Sequence, residues 1–237
     1  MDHSEGGRSD LAPRVRLELE NFEGNAQTFR VVTKLQLLNT NRGLNLTVGT
    51  LAALMKYPVP ADKIDKKIHS RKKYNFFLSE EAAVGEVRLK TGLSEGVRHP
   101  LTFIMEACDD IAYSVLDIED AVKKGLVSVS DILSWLHHKS SEQPATDGKT
   151  LTKNVHSAAA YDCERYRKEP LSPSEFNDVS MQKLRVHAIG AMIGAIINRY
   201  EAVVPEMLAG TYDKELISDC PAGHLRDCTP SAPMRQN

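Results

Sequence analysis

Cysteine is scarce. Cys108, Cys163, Cys220 and Cys228 are the only ones in 237 residues, which is no disulfide framework for a secreted domain. A reducing, cytoplasmic setting is the expectation. Long apolar runs are missing too: none approaches the roughly eighteen residues of a membrane span, and the opening "MDHSEGGRSD" has no apolar h-region. No membrane partner is expected. Neither sign of charge dominates, since thirty basic residues face thirty-two acidic ones for a formal charge of −2. Without a global positive field, nucleic acid is not expected as the main partner. The chain also lacks a G-x-x-x-x-G-K-[ST] loop, a G-x-S-x-G elbow and an H-E-x-x-H pair, so the enzyme classes built on them lose support. No alternating strand pattern and no solenoid-period repeat is evident.

What remains is helical. With 41% hydrophobic residues the chain can bury one sizeable core or two small ones. The expected class is all-α, a multi-helix bundle over residues 14–216 between disordered tails at 1–13 and 217–237. Asn25 is a plausible N-cap for a helix through "AQTFRVVTKLQLLN", where Phe29, Val32, Leu35 and Leu38 keep helical spacing. Thr47 caps "VGTLAALMKY", and Pro58 and Pro60 stop it. The basic run from Lys63 to Lys73 reads as a loop or short helix. A long helix is predicted over about 99–124, ending at Gly125, and Ser128 or Ser130 opens a short one through "DILSWLHH". "KSSEQPATDGKT" reads as a polar loop. Ser172, Pro173 and Glu175 form a capping box before a helix whose middle is apolar nearly all round, which predicts a central buried helix.

The 99–124 helix carries the chemistry. At about 100° per residue, Glu106, Asp109, Asp110, Tyr113, Asp117 and Asp120 fall within an arc of roughly 100°. Ile104, Ile111, Val115, Ile118 and Val122 occupy the opposite face. Like charges at i,i+3 and i,i+4 oppose the helix by roughly 0.2–0.5 kcal/mol a pair. Lys123 and Lys124 relieve Glu119 and Asp120, but Glu106, Asp109, Asp110 and Asp117 have no cation at those spacings. Spacing alone leaves two readings open, a solvated acidic face or a site for something positive. Three other features have bland readings of their own. Cys220, His224 and Cys228 supply three ligand-capable side chains where zinc wants about four. His137 and His138 diverge by about 100° on a helix and make a poor metal pair. Lys63, Lys66, Lys67, Arg71, Lys72 and Lys73 suit a solvated loop, or a polyphosphate beside a carboxylate-held ion.

Taken together, "NFEGNAQTFR", "GLNLTVGTLAALMKYP", "KKYNFF" followed by "SE", and "HPLTFIMEACDDIAYSVLDIEDAV" occur in this order over about residues 14–215. They resemble the deoxyguanosine triphosphate triphosphohydrolases of the HD-domain superfamily. The resemblance implies a helical, oligomeric, metal-dependent enzyme that cuts a deoxynucleoside triphosphate, dGTP above all, into deoxynucleoside and triphosphate. It implies that Asp109 is a ligand of a divalent metal, magnesium or manganese. It further implies that Tyr113 and Asp117 line the pocket at the sugar, and that Lys56 and Lys73 bind phosphate, with Lys72 as an alternative in register. Asn25 is a weaker contact in the same pocket.

The sequence departs from the family's pattern at one decisive place. The superfamily is named for a His-Asp dipeptide, and none occurs in these 237 residues. The family's catalytic histidine and glutamate also lie in the missing region, so no catalytic residue is expected within this chain. A lone Asp109 does not hold a divalent ion selectively. The expectation is a fragment, without the HD segment or the family's C-terminal part, that is inactive by itself. The alternative is a non-catalytic helical module that binds nucleotide or partner subunits.

Overall fold

The computed structural model describes residues 11–36, 43–141 and 146–227. These residues are all-α, as expected, with no strand among them. They divide into two compact units, one up to Met105 together with Val204–Asp213, the other Glu106–Val203 and the chain from Lys214 onward.

The first unit contains α1 (Pro13–Glu20), α2 (Gly24–Arg30), α3 (Val48–Ala53), α4 (Glu81–Thr91) and the opening turns of α5 (Pro100–Lys123). Between α3 and α4 the chain makes only short 3₁₀ turns, at Ala61–Lys63, His69–Arg71 and Leu78–Glu80. Pro58 and Pro60 cannot donate within a helix, so the segment packs through side chains instead. Phe29, Ala52, Met55, Phe76, Val84 and Val87 form one buried cluster, and Ala26, Ala61, Tyr74 and Phe77 a second. Each such aromatic, fully buried, contributes roughly 1.5–3 kcal/mol of transfer free energy.

Several expectations need correction here. Asn25 is not the N-cap of α2. Glu23 holds that place in extended conformation, its carboxylate accepting the Asn25 N–H. The helix does not run regularly to Leu38 either. After Arg30 it widens into a π-helical turn, Val31–Leu35, closed by the Gln36 N–H donating to the Val31 carbonyl at 2.9 Å. Leu35 ends up 59% exposed, so the buried stripe does not extend to it; Leu38 lies outside the described residues. Thr47 does cap α3 by accepting the Thr50 N–H, and the chain leaves the helix before Pro58. Helix α1, starting at Pro13, and helix α4 were not anticipated; α4 stops at Gly92, whose φ of 70° suits the left-handed cap.

The second unit contains the rest of α5, then α6 (Val129–Ser141), α7 (Asp147–Tyr166), most of α8 (Pro173–Leu208) and α9 (Pro221–Asp227). Val115 and Ile118 of α5, Ile132 and Leu136 of α6, Val155 of α7, Leu184 and Met192 of α8 and Leu225 of α9 surround a small apolar cavity of about 20 Å³. All five helices therefore share one core. α5 ends as predicted, with Gly125 at a φ of 68°. Ser128 pairs with Asp131 at the start of α6, and Ser172 exchanges hydrogen bonds with Glu175 at the start of α8.

Three readings fail in this unit. α7 starts inside the predicted polar loop, because Thr146 caps it by accepting the Lys149 N–H; residues 142–145 lie outside the described set. α8 is not buried all round. Met181, Leu184, Met192 and Ile196 face the core, whereas Val186, Ile193 and Ile197 are 61%, 44% and 48% exposed. The stretch after Leu216 is not wholly a tail: Ile217, Ala222 and Leu225 are buried, because a short helix turns its few apolar side chains to one side. Residues 1–10 and 228–237, the outer parts of both expected tails, lie outside the described residues. No helix among the described residues is long and apolar enough to cross a membrane.

Candidate functional site

The predicted site residues fall in both units. In the second unit, Asp109, Tyr113 and Asp117 follow one another at i, i+4 and i+8 on α5. A helix stacks such residues on one face. All three are exposed, Tyr113 by 54%. The apolar face behind them is Ile111, Val115, Ile118 and Val122, each buried, which fixes the rotation of the helix. The row can therefore present a carboxylate, a phenol and a second carboxylate to a ligand. Asp109 alone contributes a single ligand group, and that does not fit a complete divalent-metal centre.

The acidic face is not uniform. Glu106 is 3% exposed and Glu119 6%, so neither belongs to a merely solvated stripe. Glu119 receives Lys123 at 2.8 Å and Arg185 of α8 at 2.6 Å. The Lys123 hydrogen bond, with Arg185 behind it, outweighs burial and holds the Glu119 carboxyl below the usual carboxylate range. Sequence spacing had identified the Lys123 partner and could not have identified Arg185, which is distant in sequence.

In the first unit, Asn25, Lys56 and Lys73 sit around two residues that sequence reasoning missed. One is Glu23. Its carboxylate accepts from the Asn25 side-chain amide at 2.7 Å and pairs with the Lys73 ammonium at 3.1 Å. Lys73 and Asn25 are thereby linked through one anion. The other is Asn75, only 1% exposed. Its Oδ1 accepts the Tyr57 N–H at 3.1 Å, and its Nδ2 donates to the Asn25 carbonyl at 3.4 Å. Asn75 thus ties the turn that carries Lys56 to the helix that carries Asn25. The Lys56 ammonium stands 5.7 Å from the Tyr57 ring centre. Both missed residues lie inside motifs already singled out, "NFEGNAQ" and "KKYNFF"; a buried asparagine in an aromatic run is the signal that could have flagged Asn75. Lys72, the alternative in register, is exposed.

Further polar support surrounds this group. Tyr74 donates to the Glu18 carbonyl at 2.8 Å, and burial, with the Glu18 charge adding, pushes its phenol up to about 12. Glu80 has a fully enclosed side chain that meets Lys34 at 2.9 Å and Arg30 at 3.3 Å. Burial raises its proton affinity, but hydrogen bonds from Lys34, Ser79 and Arg30 prevail and leave its pKa lowered.

The zinc reading of the C-terminal trio finds no support among the described residues. The Cys220 thiol meets the Ile217 carbonyl at 3.6 Å, and burial pushes it up, away from the thiolate a metal needs. His224 Nδ1 is 3.1 Å from the Thr152 hydroxyl, and Cys228 lies outside the described residues. His137 lies not against a metal partner at 138 but beside His156 of α7, ring centres 5.1 Å apart.

No family model matches the chain. Curated proteins do. The chain is 34% identical over 215 residues, 91% of its length, to a deoxyguanosinetriphosphate triphosphohydrolase-like protein of Listeria monocytogenes. It is 36% identical over 223 residues to a probable deoxyguanosinetriphosphate triphosphohydrolase of Pseudomonas aeruginosa. It is 33% identical over 220 residues to a deoxyguanosinetriphosphate triphosphohydrolase of Yersinia pestis. The chain spans only 44%, 42% and 40% of those proteins' lengths.

Proposed function

From its place in the deoxyguanosinetriphosphate triphosphohydrolase family, over the stretch it shares with those proteins, we propose that the chain carries the nucleotide-recognition part of a metal-dependent dNTP triphosphohydrolase, with dGTP as the leading substrate. The observation that carries this reading is the exposed row Asp109, Tyr113 and Asp117 on an otherwise apolar-backed helix, within a chain about one third identical to those enzymes. In this reading Asp117 accepts a hydrogen bond from the deoxyribose 3′-hydroxyl, and Tyr113 stacks or bonds beside the sugar. Lys56 and Lys73 counter the polyphosphate charge, while Asn25 contributes a polar contact. Asp109 contributes one carboxylate towards a magnesium or manganese ion whose remaining ligands these 237 residues do not provide as a His-Asp pair.

A soluble, cytoplasmic protein that assembles as a homo-oligomer in its intact form belongs to the same proposal. So does the absence of turnover by this chain alone. Incubation with dGTP and manganese, followed by separation of deoxyguanosine and inorganic triphosphate, tests it. The proposal expects neither product. Metal-dependent release of both would show that the chain is a complete catalyst and would overturn the partial-site reading. The alternative, a helical module that only binds nucleotide or partner subunits, gives the same null turnover. In an intact enzyme the first reading expects Asp109→Ala to abolish metal-dependent turnover, and full activity of that variant would overturn it.

A further inference from the structure

His137 and His156 project from two helices that pack along each other, α6 and α7, and their imidazole centres are 5.1 Å apart with planes inclined by 44°. The backbone beneath both rings is fixed, since the preceding residues, Leu136 and Val155, are 4% and 2% exposed. His137 is exposed and His156 half-buried, so the pair is open to solvent on one side.

The spacing is informative. A ring centre lies about 1.1 Å from its nitrogen, and a zinc–nitrogen bond is about 2.0–2.1 Å, which puts each ring centre about 3.1 Å from a shared ion. Two such rings at a tetrahedral angle then stand about 5.1 Å apart. We propose that His137 and His156 form a two-histidine site for a borderline-soft divalent transition ion, of the zinc, nickel or copper kind, that joins α6 to α7.

With two protein ligands the remaining positions go to water, so the site is weaker than a closed four-ligand centre, and affinity follows the order copper above nickel and zinc. His138, on the next position of α6, diverges from His137 by about 100° and takes no part.

Calorimetric titration with zinc chloride, and separately with nickel chloride, tests this in a Cys108→Ser background, because the Cys108 thiol is exposed and competes for soft ions. The expected result is one ion per chain. Loss of an outer-shell partner alone costs roughly 10–100-fold in metal affinity, so His137→Ala and His156→Gln should each weaken binding by at least that much, with His138→Ala unchanged. His137→Ala changes an exposed side chain, and its circular dichroism should match the parent. Imidazole resonances of His137 and His156 should shift together on adding zinc. Binding that survives both substitutions, or the absence of binding at millimolar metal, overturns the proposal.

Discussion

Glu80→Gln removes one buried negative charge while conserving shape. The Glu80 side chain is wholly enclosed and takes Lys34 at 2.9 Å, Arg30 at 3.3 Å and the Ser79 hydroxyl at 2.8 Å. A hydrogen bond to a charged group contributes about 1.5–3 kcal/mol net. Breaking a fully buried pair costs about 3–5 kcal/mol, but the Lys34 and Arg30 side chains are 46% and 32% exposed. They regain water when their partner goes, so the cost falls nearer the lower range. The expected loss is about 2 kcal/mol at pH 7, which in a chain of this length lowers the thermal midpoint by roughly 4–8 °C.

The pH dependence follows from the depressed pKa of Glu80 in the folded chain. Its stabilisation is present above the unfolded value of about 4.3 and disappears as pH falls through the lower, folded value. Thermal unfolding of parent and variant from pH 7 to pH 3 should therefore show curves that converge in acid. A loss under about 0.5 kcal/mol at pH 7, within the range of ordinary surface changes, would refute the reasoning, and so would a gap that stays constant down to pH 3.

Two further substitutions probe the framework. Asn75→Ala strands the buried Tyr57 N–H, at a cost of about 1–3 kcal/mol; urea unfolding should show it, and the Tyr57 amide should exchange faster with solvent. Leu225 is 2% exposed, so Leu225→Ala should cost about 2–5 kcal/mol, whereas a disordered tail would lose nothing in the same measurement.

The fold was legible wherever one signal fixed an element. A capping box at Ser172, a threonine cap at Thr47 and a glycine stop at Gly125 all act within a turn, and sequence displays them directly. α1, α4, α7 and α9 escaped because their burial comes from partners distant in the chain. α9 has only Ala222 and Leu225 to bury as apolar side chains, too few to set a period, and α7 begins in a run rich in polar residues. The exposed face of α8 shows the converse, since an apolar sequence says what could be buried and not what meets it. For the candidate site, helical periodicity placed Asp109, Tyr113 and Asp117 on one exposed face of α5, but spacing left that face open between solvent and a ligand, and the resemblance singled out the three. Glu23 and Asn75 were not legible, because their role is to join segments, and Glu23 meets Lys73 only after folding brings "NFEGNAQ" to "KKYNFF".

Calorimetric binding of dGTP, with GTP as the comparison, to the chain and to its Tyr113→Ala and Asp117→Ala variants tests the central claim most directly. The account predicts that the chain binds dGTP, that Asp117→Ala loses roughly tenfold or more, since a hydrogen bond to a charged group is worth about 1.5–3 kcal/mol, and that Tyr113→Ala also binds more weakly. Binding that is unchanged in both variants, or no binding of dGTP at millimolar concentration, would contradict the assignment of the α5 row to a nucleotide pocket.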